Sequence, residues 1–270
     1  YYNSTTGQFK AIKSGFLTGT WASGGSLNNG RYRMIGGAGT YNAGTIFAGY
    51  NPVTNHVESY DGTSWTEIAN YPASLGDVAS CGATQTAALS VGGNPGNVST
   101  VNEFDGSSFS SGGSLPSGTA RCQLFGTQTS AVSVGGATPA NPSYDDRTLH
   151  YDGSTWTTSG DFPQGIANGG SCGTQTAGFS FGGYTPSAST QSAFYNGSTW
   201  TSGPALNIAK NEVGFSTRGS QTAAFICAGT PSETETELFD GTSWSEGNDL
   251  SNAQNSGASS GDLQNAFYAG

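Results

Sequence analysis

One aromatic position recurs at nearly constant spacing along the whole chain. Neighbouring members of the series are 44 residues apart, with one interval of 47, and they are Trp21, Trp65, Phe109, Trp156, Trp200 and Trp244. Six steps of this length account for nearly all of the 270 residues. A period in this range is typical of propellers and other arrays, in which each repeat is one small supersecondary unit. We therefore expect a single domain of six similar units.

Each unit has two recognisable halves. The first alternates small or apolar residues with polar ones and ends in Gly-Gly or Ala-Gly, as in residues 82–93, 126–136, 173–183 and 219–229. The second has an aromatic residue before Asp-Gly or Asn-Gly and another five residues later, as in 60–67, 104–111, 151–158, 195–202 and 239–246. Alternation predicts strands, and Asp-Gly or Asn-Gly predicts a two-residue type I′ hairpin. With one short strand before each first half, a unit has four strands, called A, B, C and D in chain order.

The two ends of the chain complement each other. Residues 12–21 align with residues 56–65, so residues 10–23 are predicted to form strands C and D of a unit that lacks A and B. Residues 256–270 carry strands A and B of a unit that lacks C and D, with Gly270 at the last glycine of the pair. We expect an all-β, six-bladed propeller whose last blade is completed by both termini, which leaves no open sheet edge. The predicted blades are residues 30–70, 76–114, 118–160, 168–204 and 211–248, and a sixth shared between 1–25 and 253–270.

This pattern resembles the kelch repeat, in which a hydrophobic strand ends in Gly-Gly and a Tyr is followed by a Trp. The matching residues are Gly92-Gly93, Gly135-Gly136 and Gly182-Gly183, with Tyr60/Trp65, Tyr151/Trp156 and Tyr195/Trp200. The Tyr-to-Trp spacing is one residue shorter than in kelch repeats, one unit has Phe104 and Phe109, and two pairs read Ala-Gly. The repeats also look like the kelch-like repeats of virion and tail-associated proteins of marine tailed bacteriophages.

The composition narrows the classes of partner. Charged residues are only 10% of the chain and the net charge is −10, with eight Lys and Arg in all. A nucleic-acid partner requires a basic stripe, and none is present. No apolar run approaches the roughly 18 residues that a membrane span requires, so no membrane insertion is expected. A surface rich in hydroxyl and amide groups is suited to a virion or an extracellular location, where binding must tolerate changes in salt.

The residues that usually carry chemistry are few. Cys81, Cys122, Cys172 and Cys227 lie in or beside predicted strands without zinc-ligand spacing, so we expect free, buried thiols. Some kelch-type propellers are oxidases that hold copper with two His and two Tyr, but the only two histidines, His56 and His150, fall in different blades. We expect no metal, no cofactor, no catalytic residue and no enzyme activity.

Two acidic clusters allow alternative interpretations. Glu233, Glu235 and Glu237 alternate, which places them on one face of a strand as a solvated face or a cation site. Asp145 and Asp146 could hold calcium, although two adjacent aspartates point apart. For the glutamates the solvated face is favoured, and for the two aspartates an ordinary loop. The repeated glutamines are expected to bond to neighbouring strands, and they are Gln85, Gln128, Gln175 and Gln221, with Gln264 near the end of the chain.

A binding surface is expected where the blades differ. The B–C and D–A connections should share one face, and variable loops on a rigid scaffold commonly carry recognition. Tyrosine with small polar residues suits sugars and protein surfaces. The candidate residues are Asn94, Tyr144, Asp145, Asp146, Arg147 and Tyr184 in the B–C connections, with Tyr71 and Phe162 in the D–A connections.

Three functions remain open at this point. The first is a non-enzymatic module of a phage particle, a tail or capsid appendage that contacts other virion proteins or a host cell-surface glycan or protein. The second is a bacterial secreted or cell-surface module for carbohydrate binding or adhesion. The third is a remote oxidase-like enzyme.

Overall fold

The protein is an all-β propeller. The computed structural model describes residues 21–139, 144–230 and 233–270, and these form only strands, turns and irregular connections. Most strands belong to five sheets of consecutive antiparallel strands, called blades 1 to 5 in chain order, and the last two strands form a two-stranded sheet, called the terminal hairpin. The described residues therefore hold five complete blades, one fewer than expected. The segment 10–20, predicted to supply most of two further strands, lies outside the described residues.

The strands of each blade follow one another in the order A to D. Blade 1 contains β2 (Ala38–Thr40), β3 (Ala43–Gly49), β4 (Thr54–Tyr60) and β5 (Trp65–Asn70), and blade 2 contains β6 (Val78–Thr84), β7 (Ala87–Val91), β8 (Val101–Phe104) and β9 (Phe109–Ser111). A short β1 (Met34–Ile35) pairs in parallel with β6. Blade 3 contains β10 (Gln123–Thr127), β11 (Ser130–Val134), β12 (Thr148–Tyr151) and β13 (Trp156–Thr158).

The last two blades and the terminal hairpin repeat the same order. Blade 4 contains β14 (Gly170–Thr174), β15 (Ala177–Phe181), β16 (Ser192–Tyr195) and β17 (Trp200–Ser202), and blade 5 contains β18 (Gly214–Phe215), β19 (Ala224–Cys227), β20 (Thr236–Phe239) and β21 (Trp244–Glu246). The terminal hairpin contains β22 (Ala258–Gly261) and β23 (Ala266–Ala269). The A strands contact one another around an axis, and β22 contacts both β18 and β2. The terminal hairpin therefore lies between blade 5 and blade 1.

The aromatic pair of each unit joins strands C and D. Tyr60 lies directly opposite Trp65 across the hairpin, with ring centroids 4.9 Å apart, and the other four pairs have separations of 4.7–5.1 Å. The first member of every pair is at most 4% exposed. Aromatic pairs of this kind bury large areas, so the repeated aromatics are core residues, as expected.

The C–D turns differ from the predicted type I′ hairpins. Because Tyr60 pairs with Trp65, the loop between them has four residues, and within it only Gly62 has positive φ, at 93°. The Asp61 carboxylate accepts hydrogen bonds from the N–H groups of Thr63 and Ser64, both at 2.8 Å. The aspartate is therefore needed as a hydrogen-bond acceptor and not for a left-handed backbone. The same arrangement recurs at Asp105, Asp152, Asn196 and Asp240.

The repeated glutamines tie each blade to the one before it. Gln128 Nε2 donates to the carbonyls of Ala88 and Phe104 in blade 2, at 3.1 and 2.8 Å. Gln175 and Gln221 bond in the same way to strands B and C of blades 3 and 4. The prediction that these glutamines bond to neighbouring strands is confirmed at these three positions.

A groove of about 340 Å³ lies beside β23. Its walls include Trp21, Tyr60, Trp65, Phe267 and Tyr268. In each complete blade strand C covers the corresponding edge of strand B, whereas no strand of the described residues pairs with the outer edge of β23.

Candidate functional site

The propeller has two unlike faces. The B–C and D–A connections lie together on one face, because residues at the ends of the B strands bond to the D–A connections: Gly49 N–H donates to Leu75 O and Gly183 N–H to Lys210 O, at 2.8 and 2.7 Å. We call this the loop face, and the opposite face, with the A–B and C–D turns, the turn face. The prediction that the B–C and D–A connections share a face is confirmed.

At the centre of the loop face, each of the five blades and the terminal hairpin has one residue with a left-handed backbone, one to five residues before its strand A. The six residues have φ between 55° and 63°, and they are Arg33, Asp77, Arg121, Asn168, Glu212 and Ser256. None is glycine, although left-handed φ is uncommon for other residues. They follow the period of the repeat, with steps of 44 or 47 residues.

The backbones of these six residues form a closed ring of hydrogen bonds. Each N–H donates to the carbonyl of the equivalent residue in the preceding unit, at 2.6–3.1 Å, and Arg33 N–H closes the circle by donating to Ser256 O. We call this arrangement the axial ring. Because the bonds involve only backbone atoms, the ring leaves its six side chains free to differ.

Asp77 is the buried centre of a charged group on one side of the ring. Its side chain is 3% exposed, and its Oδ2 lies 3.3 Å from Arg121 Nε and 3.8 Å from Arg33 Nη1. Asn94 Nδ2 donates to the same oxygen at 3.0 Å. The two arginine side chains keep 32% and 35% of their surface exposed. The carboxylate therefore holds two partly exposed guanidinium groups at the centre of the face.

Two tyrosines flank this group. The Tyr32 and Tyr50 rings stack with centroids 6.1 Å apart, and the Arg33 guanidinium lies 5.4 Å from the centroid of Tyr50. Burial, followed by the negative charge of Asp77, raises the pKa of Tyr50, while the two arginines partly oppose the rise. The phenol is therefore neutral at pH 7. The Asp77 cluster is defined as Tyr32, Arg33, Tyr50, Asp77, Asn94 and Arg121.

The other side of the ring is centred on Glu212. Its Oε2 accepts hydrogen bonds from the hydroxyls of Thr230 and Ser256. Between Glu212 and Asp77 lies an axial cavity of about 20 Å³, with Asn168 also in its wall. That volume holds about one water molecule. The axis is therefore closed to larger molecules, and a ligand of any size must bind on top of the ring.

Five of the sequence-predicted residues lie together at the rim. The Tyr144 and Tyr184 rings are 5.3 Å apart, Arg147 forms an ion pair with Asp145, and Asp146 is exposed. These residues join the B–C connections of blades 3 and 4. Asn94 lies instead in the Asp77 cluster, so the predicted set is divided between two places on the loop face.

Tyr71 and Phe162, the other two predicted site residues, are in the core. Tyr71 is 1% exposed, and its hydroxyl accepts a hydrogen bond from Asn102 Nδ2 at 2.9 Å. Phe162 is 2% exposed and packs edge-on against Trp200 at 4.9 Å. Their position in D–A connections suggested exposure, but these connections fold inward and their aromatic rings fill the space between blades. Neither side chain can form part of an exposed surface.

The solvated interpretation of the glutamate series is also wrong. Glu237 is 1% exposed and accepts hydrogen bonds from the N–H groups of Asn207 and Ile208, at 2.8 and 3.0 Å. Glu233 pairs with the buried Lys210 at 2.9 Å. These carboxylates therefore hold a D–A connection in place inside the protein. The alternation of glutamates along a strand had instead indicated a solvated face.

Blade 1 repeats this anchor. Glu58, fully buried, accepts hydrogen bonds from the N–H groups of Asn28 and Asn29 and pairs with the buried Arg31. Burial opposes ionisation of Glu58, but the hydrogen bonds from Arg31 and Asn28 outweigh it and lower the pKa of the carboxyl. Blades 1 and 5 are also those with Ala-Gly in place of Gly-Gly, and the carbonyls of Ala48 and Ala228 accept hydrogen bonds from Arg31 and Lys210.

The remaining reactive groups are dispersed. All four cysteines are free and buried, as predicted, and burial raises the pKa of each thiol. His56 pairs with Glu67 at 3.0 Å, and His150 lies 2.7 Å from the Tyr195 hydroxyl. Within the described ranges, no three His, Cys, Asp or Glu side chains are grouped as metal ligands. The described part of the chain contains no helix with the length and hydrophobicity of a membrane span.

The axial ring is the feature that sequence reasoning missed. Its signal was available: six polar or charged residues of five different types precede the A strands at the period of the repeat. This position keeps the spacing of the repeat but not its residue type, so a comparison of identical residues between units does not reveal it. Comparison with known proteins adds no assignment, because no protein-family model and no curated protein matches the chain.

Proposed function

We propose that the chain is a six-bladed, kelch-like propeller whose last blade is completed by both termini. The placement of Trp21 supports this. Its indole N–H donates to Thr236 Oγ1 of blade 5 at 3.0 Å, as the indole of Trp200 donates to Thr148 Oγ1 of blade 3 at 2.9 Å. Trp21 thus relates to blade 5 as a strand D tryptophan relates to the blade before it.

The terminal hairpin shows the same relation to blade 1. Phe267 lies 5.5 Å from Tyr60 and 5.2 Å from Trp65. The equivalent Phe179 of blade 4 lies 4.8 Å from Phe239 and 5.8 Å from Trp244 of blade 5. The register Ala258↔Ala269, equivalent to Gly214↔Cys227, places Gly270 at the first residue of the glycine pair, one position earlier than expected.

Hydrogen exchange tests the closure. If residues 10–20 pair with the outer edge of β23, the β23 amides that do not bond to β22 are protected in the full chain and exchange rapidly after deletion of residues 1–20. The β19 amides, which are covered by β20, serve as the internal reference. Equal exchange of the β23 amides in both forms would refute the shared blade.

For the function, we propose a non-enzymatic binding module of a phage particle, a tail or capsid appendage that contacts the host surface or another virion protein. The observation that carries this proposal is the axial ring, where the same backbone conformation presents side chains of five different types at six positions. A scaffold that repeats while its exposed centre varies is typical of recognition. The phage setting rests on the resemblance of the repeats and on the low charge of the chain.

The proposal is tested by locating the chain and by measuring adsorption. Mass spectrometry of purified virions should find the chain, and the purified protein should bind host cells or a second virion protein. Replacing both Tyr144 and Tyr184 with Ala should weaken that binding, whereas Thr63→Ala on the turn face should not. A chain found only in virion-free culture would refute the phage setting, and stoichiometric copper with turnover would refute the non-enzymatic assignment.

A secreted or cell-surface carbohydrate-binding module is the second candidate. The tyrosine pairs Tyr32/Tyr50 and Tyr144/Tyr184 favour it, since both lie on the loop face beside charged groups. Glycan binding by a chain recovered from bacterial culture without phage particles would decide for this candidate.

A further inference from the structure

We propose that the Asp77 cluster binds a carboxylate-bearing sugar of an acidic glycan. The proposal rests on the proposed binding function of the loop face and adds the chemical class of the ligand. A guanidinium pair would receive the carboxylate, and the tyrosine pair beside it would carry the sugar ring.

The distribution of positive charge is the first argument. The chain has only eight Lys and Arg against eighteen Asp and Glu. Among the described residues, Arg31 and Lys210 are buried and Arg218 lies on the turn face, so the partly exposed cations of the loop face are Arg33, Arg121 and Arg147. Arg147 is paired with Asp145. An acidic chain that keeps two arginines at the centre of one face is suited to recognise an anion there.

The arginines are also arranged to accept a further partner. They share one carboxylate, Asp77, so this triad retains one net positive charge. Arg121 bonds to Asp77 through Nε, and its terminal nitrogens have no hydrogen-bond partner among the described residues. The carboxylate of a ligand, together with that of Asp77, would balance the charges of the two guanidinium groups. Arginine suits this role because its planar donors match a carboxylate in bidentate fashion.

The tyrosine pair decides between a glycan and a simple anion. Tyr32 is 46% exposed, and the ring of Tyr50 stacks on it and adjoins Arg33. A broad aromatic surface beside charged donors fits a ring that has an apolar C–H face and a carboxylate edge, as uronic and sialic acids have. Since the axial cavity below holds about one water molecule, the sugar would lie across the ring and not enter it.

A glycan array provides the test. It carries glycans containing uronic acid and sialic acid, together with the same glycans as carboxyl methyl esters, and is probed at 0.15 M salt so that the charge of the chain is screened, with a Debye length of about 8 Å. We expect binding to at least one acidic glycan and at least tenfold weaker binding to its ester. Arg121→Gln should weaken binding tenfold or more, and Tyr32→Ala should weaken it without lowering the melting temperature.

Arg218→Gln is the matched control. It changes the net charge by the same amount at an exposed position on the turn face and should leave binding unchanged. Equal binding of acid and ester, equal effects of Arg121→Gln and Arg218→Gln, or no acidic glycan bound would overturn the proposal. Tyr32→Ala keeps the test valid if Arg121→Gln misfolds, since Tyr32 takes no part in the ion pairs. Cell or virion binding that persists without Arg121 would refute this site while leaving the proposed function intact.

Discussion

Neighbouring units are linked by side chains on the turn face and by the backbone at the centre of the loop face. On the turn face, side chains tie the units together, so those side chains recur: Gln128, Gln175 and Gln221 bond to two carbonyls each. At the centre of the loop face the backbone does this, through the axial ring, and the side chains differ in all units except for the two arginines. Where side chains hold the repeats together they cannot vary, and where the backbone does so they are available for recognition.

The largest effect is expected from breaking the carboxylate anchor of blade 1, in which Glu58 bonds to Asn28, Asn29 and Arg31. Glu58→Gln leaves the buried Arg31 without its counter-ion and should cost about 3–5 kcal/mol in free energy of unfolding, as measured by urea denaturation. Glu67→Gln, at an exposed contact with His56, should cost less than about 1 kcal/mol. A loss below 1 kcal/mol for Glu58→Gln would show that this anchor is not structural.

The next prediction concerns the repeated side chains of the turn face. Gln128→Ala removes two hydrogen bonds and should cost about 1–3 kcal/mol, since one bond contributes about 0.5–1.5 kcal/mol. Gln221→Ala should cost the same within about 0.5 kcal/mol, because its two bonds are equivalent and distant sites behave independently. Gln175→Ala should cost at least as much, because Gln175 Oε1 also accepts a hydrogen bond from Ser130 Oγ at 3.2 Å. Urea denaturation of the three variants, with Thr176→Ala as an exposed control, checks this. Widely unequal losses would contradict the equivalence of the repeats.

A smaller effect of opposite sign is expected where Ala replaces the first glycine of the pair. Ala48 and Ala228 have φ of 53° and 60°, which disfavours any residue with a Cβ atom. Ala48→Gly should therefore stabilise the protein by up to about 1 kcal/mol, the relief of strain being partly offset by the greater freedom of glycine in the unfolded chain. Thermal denaturation measures the change, and a lower melting temperature for both Ala→Gly variants would contradict the argument.

The smallest effect is the pH response of the C–D turns. Hydrogen bonds from Thr155 and Ser154 hold the pKa of Asp152 below its usual value, and similar bonds act on Asp61, Asp105 and Asp240. A depressed pKa adds stability that is complete above the unfolded value of about 3.9 and is lost as the pH falls through the folded value. Stability should therefore decrease as the solution is acidified from pH 5 toward pH 2.

Asp152→Asn isolates one turn. The amide oxygen can accept the same bonds, as Asn196 does from the N–H groups of Ser198 and Thr199, but it cannot be protonated in this range. The variant should match the parent near pH 7 and lose less stability on acidification. Urea denaturation at pH 7, 4 and 2.5 measures the difference, and an unchanged acid response would show that Asp152 does not contribute.

Much of the scaffold could be predicted from the sequence because each strand and turn pattern occurs several times, once in each unit. Four strands in each of the five complete blades, the core position of the first aromatic of each pair, the free cysteines and the bonds of Gln128, Gln175 and Gln221 were predicted correctly. The C–D turn was predicted in the right place with the wrong geometry, since Asp-Gly is compatible with more than one turn. Tyr71 and Phe162 were placed at the surface because the sequence of a connection does not indicate that it folds inward. Glu237 was placed there because charges that alternate along a strand are typical of a solvated face.

The sequence by itself determined the period, the alternation of strands and turns and the position of the core, because these depend on neighbours within about 44 residues. Only the tertiary structure decided which side chains meet at the axis. Arg33, Asp77 and Arg121 belong to three units, and the bond from Arg33 to Ser256 spans nearly the whole chain. Such groupings arise because strand A of every blade lies around the same axis. Whether a residue belongs to the core, to an anchor or to an exposed site therefore depends on its position relative to that axis, which its local sequence pattern does not give.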